Sequence, residues 1–285
     1  MEKETREELE LAASVMIEHG MNLIRKGQET WAKAKRLTIT VITRCFNDEV
    51  LIPFFLEHYG YADKIIAIVS ADSTDRSKEL FARSDKVEIL NITHKHGYNA
   101  MEVHKYKLEL IEDITSDWII QADIDEFIFP TQIDADVRAV LGGVKGNVLY
   151  ANMWQVYKHR TEMPLDISVK AIHLRRHGIP HRGNEANGRL DCKPLIFRSG
   201  LGIEFRLGFH SFEENKNVVV SATQFDGAHW KMADADLAVA RRMAGNRQNI
   251  STEMVDNRWA FYDFDITEKE IRLECEQHLD DPQLF

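Results

Sequence analysis

Three cysteines in 285 residues, Cys45, Cys192 and Cys275, stand far apart and in no metal-ligand spacing. A disulfide scaffold and a cysteine-built zinc site are thereby excluded, and the three read as reduced thiols in a cytoplasmic protein. No apolar run approaches the ~20 residues that a helix needs to cross a bilayer. The opening Met1-Glu2-Lys3-Glu4-Thr5 lacks the basic and apolar order of a signal peptide. Peripheral contact with a membrane is the most that is left open. Positive charge is also short: 36 Lys and Arg against 46 Asp and Glu give a formal net charge of -10, which disfavours nucleic acid as a partner. No Gly-x-Gly-x-x-Gly follows the first apolar strand, so the dinucleotide fingerprint is missing. Internal repeats, linkers and low-complexity stretches are missing too.

What is present is 44% hydrophobic composition, enough for one large domain with appendages. Residues 5–34 read as a helix with a partial apolar stripe (Leu9, Ala12, Met16, Leu23, Ile24), interrupted by Gly20 and Gly27. From Leu37 the pattern changes. Leu37–Thr43, Lys64–Val69 and Trp118–Asp123 are β-branched or apolar runs, the marks of buried strands, and Val87–Ile92 reads as a further strand. Helices are expected between them, one ending near Gly60 with Pro53 in its first turns and a long one from about Asn99 to Ile114. Such alternation predicts a parallel α/β sheet. After Pro130 the spacing predicts a short helix at 134–141, strands at 147–157, 167–174, 194–197 and 224–229, and helices from about 234, with Trp259, Phe261, Tyr262 and Phe264 as packing anchors.

The stretch Trp118-Ile119-Ile120-Gln121-Ala122-Asp123-Ile124-Asp125-Glu126-Phe127 carries the chemistry. An unpaired carboxylate is costly in a dry interior, so three at a strand end imply a cation. On an extended chain Asp123 and Asp125 point the same way. Such a pair suits Mg²⁺ or Mn²⁺ with positions left for phosphate oxygens. A solvated turn that caps a helix is the plainer alternative.

Several elements now stand in order: Thr43-Arg44 with Asn47-Asp48-Glu49, Asp72-Ser73-Thr74-Asp75, Asp123-Ile124-Asp125-Glu126-Phe127, Lys193-Pro194-Leu195-Ile196-Phe197-Arg198, Gly208-Phe209-His210 and Ala228-His229-Trp230. Over roughly Leu37 to Lys231 this resembles the family-2-like glycosyltransferases of the GT-A fold, in the branch with an Asp-x-Asp-Glu-Phe motif. The resemblance implies an α/β fold, a GT-A-like Rossmann-type mixed sheet flanked by helices. It also implies an N-terminal helical extension (1–36), a transferase domain (37–231) and a C-terminal helical segment (232–285). The implied activity is metal-dependent, inverting transfer of a sugar from a nucleotide-sugar, a UDP-sugar first, to a glycan, lipid-linked or protein acceptor, as in polysaccharide biosynthesis. Self-association through the terminal helices is left open.

By resemblance Asp123 and Asp125 hold the divalent metal, Mn²⁺ or Mg²⁺, with His229 or His210 as a further ligand. Thr43, Arg44, Asn47, Glu49, Asp72, Asp75 and Asp123 belong to the donor site; Asp72 and Asp75 have helix capping as their plainer reading. Arg175, Arg176, Arg182, Arg189 and Lys193 form the most basic stretch, with Arg182 and Lys193 favoured for anion contact. The paired acidic motif of many family-2 enzymes is absent here. Asp191 and Glu185 stand as the candidate bases, and Glu126 as a third. A non-catalytic glycan- or nucleotide-binding or scaffold domain and, further off, a metal-dependent phosphohydrolase are the competing readings.

Overall fold

A computed structural model describes residues 14–29, 37–94, 97–180, 192–222, 225–243, 250–256 and 266–285. Residues 14–29 form helix α1, inside the longer helix expected there. The chain continues as β1 (Ile39–Cys45), α2 (Ile52–His58), β2 (Lys64–Ser70), α3 (Ser77–Phe81), β3 (Val87–Ile92), α4 (Ala100–Asp113), β4 (Trp118–Gln121) and β5 (Glu126–Pro130). Then follow α5 (Val137–Gly142), β6 (Val148–Tyr157), α6 (Ala171–Leu174), β7 (His177–Pro180), β8 (Cys192–Arg198), β9 (Phe225–Met232), α7 (Ala235–Met243), α8 (Thr252–Asp256) and α9 (Glu268–Gln277).

By contact the chain divides into two compact units, Met1–Leu37 with Ala135–Val144, and Thr38–Asp134 with Lys145–Phe285. The first contains α1 and α5, whose start is capped by the Asp136 carboxylate accepting from Ala139 N–H at 2.7 Å. The second contains the sheet.

Among the described residues the sheet has the order β3-β2-β1-β4-β8-β6-β9-β5, with β7 continuing the β8 side of β6. Strands β3, β2, β1 and β4 are parallel; β8 turns antiparallel to β4, and beyond it β6 is antiparallel to β8 but parallel to β9. This is the mixed α/β sheet flanked by helices that the resemblance implies. β1, β2 and β4 are buried almost throughout, as a parallel strand covered on both faces must be. Helix α2 starts with Pro53 in its first turn, where a missing N–H costs nothing. Helix α4 starts at Asn99, whose side chain accepts from Met101 and Glu102 N–H.

Two differences from the expected elements have clear causes. Residues 167–174 are not a strand. Asp166 accepts from both the N–H and the hydroxyl of Ser168, at 2.9 and 2.8 Å, and this turn leads into the one-turn helix α6. Strand β7 was not foreseen, and Gly178 permits it: a Cβ there would fall 2.1 Å from the Gln155 carbonyl oxygen of β6. The expected third segment shares a compact unit with the sheet. Ala238 of α7 with Ile271 and Cys275 of α9 packs on Tyr157 and Met232, at the ends of β6 and β9. The anchors Trp259, Phe261, Tyr262 and Phe264 lie outside the described residues.

Candidate active site

The strand order reverses between β1 and β4. The chain leaves β1 toward β2 on one side and returns through α4 to β4 on the other. In open α/β sheets the crevice beyond the carboxyl ends of such strands is where ligands bind. A cavity of about 480 Å³ lies there, walled by Arg44, Phe46 and Asp48 after β1 and by Asp123, Asp125 and Glu126 after β4. Lys193 of β8, His229 and Lys231 of β9, Arg241 and Arg242 of α7, Tyr98 and His210 complete much of the wall.

The acidic residues sit in a turn rather than on an extended strand. β4 stops at Gln121 and β5 begins at Glu126. Glu126 N–H donates to the Asp123 carbonyl at 2.9 Å, and Asp123 N–H to the Glu126 carboxylate at 3.0 Å. Trp230 N–H holds the Asp125 carbonyl at 2.7 Å. From α2, the buried Tyr59 hydroxyl donates to the Glu126 carbonyl at 2.8 Å and accepts from Ile128 N–H at 3.0 Å. The period-two argument therefore does not describe this backbone, yet Asp123 and Asp125 still line one cavity.

Each carboxylate meets a side-chain cation. Lys107 Nζ lies 3.0 Å from Asp123, and Lys193 Nζ 2.7 Å from Glu126. The Arg241 guanidinium bridges two acids, with Nε 2.7 Å from Asp48 Oδ1 and Nη1 2.6 Å from Asp125 Oδ2. Burial alone would raise the Asp125 carboxyl; Arg241 and His229 beside it hold it well below the usual range. Asp123 is held at about 2, because Lys107 and Lys193 outweigh its burial; half of its side chain still opens to solvent. Asp48 goes the other way, raised by burial that Arg241 offsets only in part. Arg44 lies over the Tyr98 ring, 3.9 Å from its centroid, a cation–π contact at the cavity wall.

The loops after β1 and β2 are clasped to each other. Asn47 Oδ1 accepts from Thr74 N–H at 2.8 Å, and Asp75 accepts from Glu49 N–H at 2.8 Å and Ser77 N–H at 3.0 Å. Glu49 in turn takes Arg76 N–H at 3.0 Å and its Nε at 3.1 Å. Thr43 is fully buried, and Asp72 is exposed. Arg175 is fully buried and donates to the carbonyls of Ala233, Met163 and Leu174; Arg176 donates to the Phe285 carbonyl. Arg182, Glu185, Arg189 and Asp191 lie outside the described residues.

Of the two histidines, His229 Nε2 stands 3.6 Å from Asp125 Oδ2. His210 lines the same cavity from the turn Leu207–Phe209. Its ring covers Gly208, whose φ of 76° and lack of a Cβ allow that approach.

Lys107, Tyr98 and Arg241 were not foreseen as site residues, and Asp48 only as part of the loop after β1. Lys107 left a trace in the sequence: with Val103 and His104 it puts charge on the buried face of α4.

Among the described residues no group of three or more His, Cys, Asp or Glu is placed to hold a metal ion. The donor set is a carboxylate and an imidazole at the wall of an open cavity, with a second carboxylate in the same turn. A hard divalent ion fits such a set by completing its shell with phosphate oxygens and water.

No protein-family model and no curated protein matches the chain. Solved structures similar to it include S. aureus TarS 1-349, at 14% identity and TM-score 0.40, covering 85% of this chain and 69% of that one. Another is glucosyl-3-phosphoglycerate synthase from Mycobacterium tuberculosis in complex with Mn²⁺, uridine diphosphate and glucosyl-3-phosphoglycerate, at 17% identity and TM-score 0.27, covering 35% of this chain and 38% of that one. A third is 4-diphosphocytidyl-2C-methyl-D-erythritol synthase, at 13% identity and TM-score 0.31, covering 57% of this chain and 76% of that one. No helix among the described residues is long and apolar enough to cross a membrane.

Proposed function

We propose that the chain is a glycosyltransferase that binds a nucleoside-diphosphate sugar in this cavity and passes the sugar to an acceptor hydroxyl. The observation that carries the reading is the meeting of Asp123 and Asp125 with His229, Lys193 and Arg241 at the carboxyl ends of β1 and β4. Asp125, His229 and Asp123 would hold a divalent cation, Mn²⁺ or Mg²⁺. When bound, that cation supplies Lewis-acid stabilisation of the charge growing on the departing diphosphate, a contribution of several kcal/mol. Lys193 and Arg44 add fixed positive charge on the same wall and orient the phosphates. Lys107 keeps Asp123 ionised, so the carboxylate is ready as a ligand. Tyr59 and Trp230 fix the turn that aims both aspartates. The clasped loops at 47–49 and 72–76 frame the side on which the resemblance puts the base and ribose, and UDP is the first nucleotide to try. Asp191 and Glu185 are the candidate bases on sequence alone, with inversion as the expected outcome.

The test is thermal unfolding of the chain with UDP, GDP, CDP and ADP, with and without Mn²⁺. A ligand at ~100 times its dissociation constant adds about 2.7 kcal/mol to the native state, a plain rise in melting temperature. The reading expects a Mn²⁺-dependent rise with one nucleotide, absent in Asp125→Asn. No rise with any of the four moves the chain to a glycan-binding or scaffold role.

A further inference from the structure

Arg241 comes from α7, beyond the stretch that carries the family resemblance, and it ties together two loops 77 positions apart in the chain, those of Asp48 and Asp125. The fork is tight and enclosed: the guanidinium side chain is 19% exposed, and the two carboxylates are 8% and 11% exposed. Charge-assisted forks of this kind are strong and fixed in geometry, and a guanidinium does not lose its proton. The oxygen it holds, Asp125 Oδ2, is also the one 3.6 Å from His229 Nε2. Carboxylate and imidazole would converge on a cation there, and the Arg241 Nη1 already donates to that oxygen at 2.6 Å. A dication beside a fixed and mostly buried guanidinium is repelled.

We propose that Arg241 is the built-in counter-ion of the cation site. Its guanidinium and the divalent cation alternate on Asp125 Oδ2. Asp48 keeps hold of Nε throughout, so α7 stays in place. The Nη edge released from Asp125 turns into the cavity and donates to the phosphates of the nucleoside diphosphate. Exchanging a carboxylate for a phosphate leaves the guanidinium paired in both states, as its planar donor edge suits either anion. The cation is therefore weakly held alone and tightly held with the nucleotide, because only the nucleotide gives Arg241 somewhere to go. This inference rests on the transferase reading above and makes Arg241 a substrate-positioning residue of that site.

The experiment measures Mn²⁺ alone, by the electron paramagnetic resonance signal of the free ion, on wild type and Arg241→Gln. It then measures UDP at saturating Mn²⁺, or whichever of the four nucleoside diphosphates stabilises wild type most. The expected changes have opposite signs: Mn²⁺ alone binds about tenfold tighter to the variant, and the nucleotide about tenfold weaker, a coupling of ordinary size for two linked ligands. Loss of a merely structural residue weakens both, and that outcome overturns the proposal. Unchanged affinities also overturn it, while leaving the metal site standing. No Mn²⁺ binding by either protein, with or without nucleotide, overturns the metal reading itself. Should Arg241→Gln fail to melt cooperatively, a crystal structure of wild type with Mn²⁺ decides: the Nη1–Asp125 contact of 2.6 Å must open while Nε–Asp48 persists, and retention of both with the ion bound sinks the idea.

Discussion

Two acidic groups stand at the same end of the sheet and are used in opposite ways. After β1 and β2, Asp75 accepts from the backbone N–H groups of Glu49 and Ser77, and Glu49 takes the Arg76 N–H and its Nε, outside the cavity wall. After β4, Asp123, Asp125 and Glu126 meet the side-chain cations Lys107, Arg241 and Lys193 on a cavity wall. A carboxylate committed to backbone N–H groups holds a loop and has little left for a ligand. A carboxylate held by a side chain can change partner when a stronger one arrives. Both groups read as ligand sites by resemblance, and the kind of donor they face is what separates them.

The sharpest way to break this contrast is Asp125→Asn. Transfer should fall on the order of a thousandfold, since a Lewis-acid contribution of several kcal/mol is at stake and each 1.36 kcal/mol is tenfold. Turnover of donor by the purified, cooperatively melting variant is the measurement; near-normal turnover means that this turn is only a solvated bend.

Next comes the brace beneath it. Tyr59→Phe leaves the buried Ile128 N–H without its partner and should destabilise the chain by about 2 kcal/mol, read from urea unfolding. Transfer should fall in step with the loosened turn. A variant as stable as wild type would show that the phenol adds nothing to the turn.

Asp75→Ala tests the other group. It removes two charge-assisted hydrogen bonds and should cost about 1–2 kcal/mol of stability, with the KM for donor within roughly threefold of wild type. A large rise in KM at unchanged stability would return Asp75 to the donor site and erase the contrast.

A pH dependence lies behind the acidic turn. His58 Nε2 donates to the Ile128 carbonyl at 2.9 Å, and burial holds the imidazole at about 4, below the usual 6.5. The folded state thus resists protonation. Its contribution to stability is complete above about pH 6.5 and is lost as pH falls toward 4. Melting temperature between pH 7 and 4 should drop along this limb, and His58→Gln should flatten it; identical acid limbs would place the titration elsewhere.

The parallel half was legible because a strand buried on both faces announces itself as an unbroken apolar run, and β1, β2 and β4 do so. The acidic turn was legible because charge at the end of such a run needs a reason. Residues 167–174 were misread as strand because apolar residues in a short run satisfy either period, and the Asp166 turn that decides the matter is a single side chain. Arg241 was out of reach for a different reason. Its partner Asp48 lies 193 positions away, and only the folded arrangement of β1, β4 and α7 selects that pairing. The backbone clasp of Asp75 and Glu49 was likewise hidden, since composition does not tell which donor a carboxylate will find.

The cysteines described at the outset turn out to be two clocks. Cys45 sits in β1, its thiol pushed up to about 12 by burial, and Cys275 in α9, pushed up to about 11. Neither presents thiolate at neutral pH until its surroundings open. With the half-buried Cys192 replaced by serine, the rate at which a thiol reagent labels each position times the opening of the sheet's parallel half and of the helical end separately. Equal rates mean that the two open as one unit. Faster labelling at Cys275 means that the end of the molecule carrying Arg241 can let go while the strands beneath the acidic turn stay closed.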